Sequence, residues 1–297
     1  MVDKKACEKR DVTLVLSSGA ALGLAHIGTI AVLEKCFNIK AIIGTSMGAI
    51  VGGLYACGFS PNDMVDLVKD INAIDYIGLL KIGLPGKALL DTKWLERYLL
   101  KHTDNKKIED LEMPYAAIAF DINNSHSVVM RKGPIGSAMA ASSCVPFMFE
   151  PFKTGNHILF DGAVEYPLPI NFAKIFSKYR PIVAVSCLPE IKENAEEITV
   201  TNFDRSIDLD ESYIRKSFKL GSYTQAAQAL SQALYHKPFL YVNNYAKNLK
   251  EWELDKVESF YNIGKNAAEK AIEKNEEDAN IFDYLREKFE DFMQLHF

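Results

Sequence analysis

A chain of 297 residues, 48% hydrophobic and 25% charged, has the composition of a globular protein long enough to bury a sizeable core. Its formal net charge of -5 argues against a general nucleic-acid binder, whose affinity rests on clustered Lys and Arg. The cysteines Cys7, Cys36, Cys57, Cys144 and Cys187 lie far apart with no CxxC pair, which argues against a zinc site or a disulfide framework and reads as unpaired core residues in a reducing compartment.

In chain order, the apolar run 12–16 predicts a strand of the kind buried in parallel sheets. A turn over 17–23 follows, then a helix carrying Leu24, Ile27, Ile30, Val32 and Leu33. Residues 39–43 predict a second short strand, 44–48 a turn, and the next stretch a helix reaching Cys57. Gly58 stops it; Ser60 caps and Pro61 opens another helix, with Met64, Leu67, Val68 and Ile71 at helical intervals. The stretch 75–86, rich in Gly, Leu and Ile, predicts an irregular connection and is the candidate lid. Asp91 caps a helix bearing Trp94, Leu95, Tyr98 and Leu99. Further strands are predicted at 115–120, 128–130, 158–160, 182–186 and 239–242, and Pro134 opens a small-residue helix through Ala141. The acidic stretch 189–210 reads as a surface loop.

Two stretches without charge, 12–33 and 41–62, are long enough for membrane spans. Each is broken by small and polar residues, so both read instead as buried strand–turn–helix units. Lys4 and Lys5 are diluted by Asp3, Glu8 and Asp11, unlike the start of a signal peptide. Strands alternating with helices predict a three-layer α/β/α fold with a largely parallel central sheet. One domain is expected over 1–297, its core at about 12–271 and a helical tail at about 275–297.

Gly44-Thr45-Ser46-Met47-Gly48 is a G-x-S-x-G pentapeptide between an apolar strand and a small-residue helix. That context suits a nucleophile elbow, in which a sharp turn lifts the Ser46 hydroxyl clear of the sheet and Gly44 and Gly48 avoid clashes. The helix behind it offers free N–H groups and a positive dipole end to a developing oxyanion. A serine nucleophile needs a base. None of His26, His102, His126, His157, His236 and His296 sits in an obvious catalytic setting, and His26 reads as a packed or capping residue. Asp161, at a strand end before the flexible turn at Gly162 and Ala163, could take the proton directly; alone, it reads equally as a turn aspartate.

Three segments in this order resemble the patatin-like phospholipase family: the loop Ser18-Gly19-Ala20-Ala21-Leu22-Gly23 with the following Leu24-Ala25-His26-Ile27-Gly28, the elbow at Ser46, and Asp161-Gly162-Ala163. Ala140-Ala141-Ser142-Ser143-Cys144-Val145-Pro146 and Tyr261-Asn262-Ile263-Gly264-Lys265-Asn266-Ala267-Ala268 extend the similarity. The resemblance implies the FabD/lysophospholipase-like form of the three-layer fold and a Ser–Asp dyad of Ser46 and Asp161, with no cofactor and no metal. It also implies an oxyanion hole of backbone N–H groups at Gly19, Ala20 and Ala21, and hydrolysis of a lipid acyl ester. The family's usual loop is Gly-Gly-Gly-x-Arg-Gly. Here only Gly19 and Gly23 survive, Ala20 takes a position where glycine reaches φ > 0 more cheaply, and Leu22 replaces a guanidinium.

Two other readings stay open: a lipid-binding protein of the same fold with weak or no catalysis, and a histidine-dependent esterase ordered Ser46, Asp161, His236. Expected partners are a lipid or acyl-ester substrate and, transiently, a membrane surface, in a cytoplasmic protein that binds no nucleic acid. The apolar face of Ile281, Phe282, Leu285, Phe289, Phe292 and Met293 has a mixed-charge reverse side. That suits packing on the domain or on a second copy better than lying in a membrane.

Overall fold

The computed structural model describes residues 9–71, 91–146, 148–189, 211–249 and 253–277. The candidate lid at 75–86, the loop at 190–210 and the apolar face at 281–293 lie outside them. The chain opens with β1 (Arg10–Leu16), a 3-10 helix at Ala20–Leu24, α1 (Ala25–Cys36) and β2 (Phe37–Thr45). Next come α2 (Met47–Ala56) and α3 (Pro61–Lys69). In α3, Ser60 accepts the Asp63 N–H while the Asp63 carboxylate accepts the Ser60 N–H, a complete capping box with Pro61 in the first turn. Asp91 caps α4 (Thr92–His102) through the Lys93 and Trp94 amides.

The middle of the chain builds β3 (Tyr115–Asp121), β4 (His126–Met130), α5 (Ile135–Ser142), β5 (Phe152–Thr154) and β6 (His157–Asp161). It ends with β7 (Ile182–Ser186), α6 (Glu211–His236), β8 (Leu240–Asn243) and α7 (Val257–Glu277). The sheet order is β5-β6-β3-β2-β1-β7-β8, with β4 also on β3. β3, β2, β1, β7 and β8 are mutually parallel, whereas β4, β5 and β6 run against their neighbours.

Both faces are covered, as a parallel sheet requires. Leu14, Leu16, Ile42, Ala117, Val183 and Val242 join the core of α1, α2, α5 and α7. Val15, Ile43, Ala116, Ile118 and Ala184 pack under Leu168, Ile170 and α6 residues Ala226, Ala229 and Ala233. The two charge-free stretches form β1 with α1, and β2 with α2 and the first residues of α3. Among the described residues no helix is long and apolar enough to cross a membrane. The reading of all five cysteines as unpaired is corrected at one position. Cys57, Cys144 and Cys187 are free, but Cys36 is disulfide-bonded, a pairing in space that separation along the chain does not reveal.

Among the described residues, α1 crosses α7 in close backbone contact. A Cβ at Gly28 would run into the Tyr261 carbonyl, and one at Gly264 into the Ala25 carbonyl. Thr29 Oγ1 donates to the Gly264 carbonyl at 3.1 Å and accepts from Asn244 Nδ2 at 2.7 Å, closing the crossing with polar links. Backbone cannot yield as a flexible side chain does, so Gly28→Ala is expected to cost about 2–3 kcal/mol. A lowered urea midpoint with an unchanged slope would show it.

Candidate active site

The elbow is a consequence of close backbone packing. Ser46 follows the last residue of β2 at φ 56 and ψ -125, a strained conformation for a residue with a side chain. Such a conformation costs on the order of 1–3 kcal/mol and persists only when its surroundings impose it. Those surroundings are named by the glycines. A Cβ at Gly44 would strike the backbone of Gly48, and one at Gly48 would strike the Leu16 and Ser17 carbonyls, so α2 lies hard against the ends of β1 and β2. The Ala49 and Ile50 amides already bond to the Ser46 carbonyl at 2.8 and 3.1 Å, while the two amides before them open the helix.

Asp161 reaches Ser46 by a feature of the sheet. β4 pairs with β3 residues Ala117 to Asp121, so one edge of β3 is taken. β2 pairs with Tyr115 to Ile118, and β6 with Ala119 to Asp121, both therefore on the other edge. β2 climbs that edge and leaves it after Thr45, opposite Ile118; β6 descends it and ends at Asp161, opposite Ala119. The two strand ends meet head-on, bringing the Ser46 hydroxyl to the Asp161 carboxylate, closely enough to oppose the rise of its pKa. Gly162 is required beyond it, since a Cβ there would collide with the Ile118 carbonyl.

Asp161 is 3% exposed. Burial pushes its carboxyl up to about 6, against the opposing pull of the Ser46 hydroxyl and the Ala163 amide, which donates at 2.8 Å. A second buried carboxylate, Asp121, shows the opposite environment. The His157 ring at 2.6 Å, the Asn124 amide at 2.5 Å and backbone N–H groups hold it down to about 2, as a brace for the turn after β3. Of the two, Asp161 is the carboxylate whose protonation changes near neutral pH.

The loop after β1 lies against the elbow. Gly23 permits this, because a Cβ there would come within 2.6 Å of the Met47 side chain. Gly19 has only 3.0 Å of room before Cys187 Cβ. Ala20 stands in the left-handed region at φ 46, so the backbone path that glycine favours is kept by an alanine. Gly19, Ala20 and Ala21 open the 3-10 helix, whose first N–H groups have no partner within it. Leu22, where the family resemblance places a guanidinium, is buried in the core.

The segment after Asp161 ties these parts together. Thr45 Oγ1 donates to the Tyr166 carbonyl at 2.9 Å, and the Ser18 amide to the Pro167 carbonyl at 2.7 Å. Beneath the loop, His26 is fully buried and its Nε2 lies 2.9 Å from the Ser17 carbonyl; burial lowers its pKa to about 4, so it is neutral and donates. His26 is thus a packed residue, as its sequence context suggests. His236 ends α6 just before β8, at the N-terminal end of the parallel strands, whereas Ser46 follows the C-terminal end of β2. It does not join Ser46 and Asp161. One participant was not anticipated in any role: Ser142, whose hydroxyl accepts the Ser46 amide at 2.9 Å. The signals in the sequence were a polar residue closing a helix of small ones and its place in the family-like segment 140–146.

Comparison with known proteins identifies the family. The family model described as patatin-like phospholipase matches residues 14–174. An uncharacterized NTE family protein of Mycobacterium bovis is 33% identical over 160 residues, covering 54% of this chain and 44% of that protein. The chain therefore spans less than half the length of that relative. The uncharacterized protein YqhO of Bacillus subtilis is 29% identical over 217 residues, covering 62% of this chain and 73% of its own. Among solved structures, VipD from Legionella pneumophila aligns over 90% of this chain and 67% of its own, with a TM-score of 0.43 and 10% identity.

The raised pKa of Asp161 has a consequence for stability. Its folded value of about 6 lies above the ordinary 3.8, so its contribution is fully present below 3.8 and is lost as pH rises through 6. Ionised at neutral pH, the buried carboxylate costs about 3 kcal/mol. Asp161→Asn keeps an acceptor for the Ala163 amide and removes the charge. The variant is expected to exceed wild type in urea-unfolding stability by up to about 3 kcal/mol at pH 7.5, with little difference left at pH 4.

Proposed function

This chain belongs to the patatin-like phospholipase family, and from that premise we propose that it hydrolyses a lipid acyl ester through a covalent intermediate on Ser46, with Asp161 as the proton acceptor. The observation that carries the reading is a buried carboxylate, its pKa raised to about 6, at the strand end that meets a serine on a strained elbow. A base poised near the working pH is the one that proton transfer favours.

In this reading Ser46 Oγ attacks the ester carbon as its proton passes to Asp161. The carbonyl oxygen becomes an oxyanion facing the N–H groups of Gly19, Ala20 and Ala21, with the positive end of α2 nearby. Collapse breaks the bond to the alcohol, which leaves with the proton from Asp161. Water, deprotonated by Asp161, then attacks the acyl-serine, releasing the fatty acid and restoring both side chains. The left-handed Ala20 supports catalysis over a purely lipid-binding role, since the altered loop follows a path compatible with directing its amides at the site.

A fluorophosphonate probe is expected to label wild type and not Ser46→Ala. Asp161→Asn should lower hydrolysis of a short-chain aryl ester by about a hundredfold or more. Wild-type kcat/KM should rise with pH through about 6, as Asp161 ionises in the free enzyme. His236→Ala should leave the rate unchanged. Lipid binding without Ser46-dependent labelling or turnover would instead favour the non-catalytic protein.

A further inference from the structure

We infer that Ser142 is a positioning residue: its hydroxyl stands in for a missing sheet hydrogen bond where β2 leaves β3, and the segment it begins holds the backbones of Ser46 and Asp161 together. The inference rests on the reading of those two residues as nucleophile and base.

In a continuous parallel ladder, the chain beyond Thr45 would go on bonding to β3 past Ile118. At Ser46 the backbone turns away at φ 56, which would leave a buried amide on one side and a buried carbonyl on the other. The Ser142 hydroxyl fills the break. It accepts from the Ser46 amide at 2.9 Å and donates to the Ile118 carbonyl at 2.6 Å, using its one proton and one lone pair in opposite directions. Ile118 is the last residue paired with β2, and Ala119 is the first paired with β6. The bridge therefore sits at the junction where the two strand ends face each other.

The same segment also grips the other partner. The Asp161 amide donates to the Cys144 carbonyl at 2.9 Å, two residues after Ser142. The segment is itself pinned to α5, with Ser143 Oγ donating to the Met139 carbonyl at 2.9 Å and Cys144 Sγ to the Ala140 carbonyl at 3.2 Å. Nucleophile and base are thus referred to one short stretch of chain. Their separation follows from the geometry of residues 142–144 as well as from the sheet.

Ser142→Ala removes both halves of the bridge. The test compares wild type, Ser142→Ala and Ser142→Thr on a short-chain aryl ester, with rates expressed per fluorophosphonate-titrated site, alongside pH profiles and thermal midpoints. In Ser142→Ala, kcat per site is expected to fall about ten- to hundredfold with KM little changed, because misplacement by a fraction of an ångström acts on the chemical step. The apparent pKa near 6 in kcat/KM should move, since the Ser46 bond helps to set it. Ser142→Thr, which keeps the hydroxyl, should recover most of the rate. Should Ser142→Ala not fold, Ser142→Cys offers a longer, weaker bond of similar size and reads the same quantity. A lowered thermal midpoint with kcat per site and pH profile unchanged would overturn the proposal and leave the dyad reading standing. Wild type without Ser46-dependent hydrolysis would overturn the dyad reading, and this proposal with it.

Discussion

One edge of β3 is shared by two strands, and the rest of the site depends on that constraint. β2 rises along the edge and β6 descends it, each occupying about half. A strand end in a buried sheet must either continue its ladder or find other partners for its amides and carbonyls. Here both ends stop at the same level. The first end carries the proposed nucleophile, the second the proposed base. Their proximity needs no long flexible side chain and no mobile loop, because β-sheet register sets it.

That arrangement also explains why a carboxylate rather than an imidazole faces the serine. The level at which β2 and β6 meet lies inside the sheet, covered by helices on one face and by Leu168, Ile170 and their neighbours on the other. An aspartate at a strand end fits there, and its own turn supplies one amide to hold it. With one amide and one hydroxyl against full burial, desolvation dominates and the pKa rises. Asp121, two positions past the junction on β3, has a histidine and several amides, and there hydrogen bonding wins. Two aspartates on adjoining strands are thus tuned in opposite directions, Asp161 upward by burial and Asp121 downward chiefly by its hydrogen bond with His157.

What could be read from the sequence was what local chemistry determines. The Ser60 and Asp91 caps, the Pro61 start and the elbow glycines act within a few residues, and the structure has each where its pattern placed it. Asp161 was legible because a strand end and a Gly-containing turn announce themselves locally. β5 was missed: Phe152–Thr154 is three residues long, its last two exposed, with no period to detect. The part of Ser142 was equally hidden, since its bond to Ser46 spans 96 residues. The packed place of His26 was legible, but not its partners Ser17 and Cys187, which follow β1 and β7. The loop departure at Ala20 was legible as a change of residue, but its outcome was not, because a left-handed alanine is a matter of imposed packing.

The crossing of α1 and α7 joins residues far apart along the chain: Thr29 bonds to Gly264 across 235 positions. α1 follows directly from the loop at Gly19 to Ala21, so the helix that steadies that loop is itself completed by the last described segment of the chain. During synthesis the elbow, the base and the loop all leave the ribosome long before their buttress does. A nascent chain can form β1, β2 and β3 in sequence, yet its α1 presents Gly28 and Thr29 to water until α7 arrives. The order of translation thus withholds a settled loop at 19–21 from the unfinished protein, and the site is fully braced only once the chain has passed Gly264.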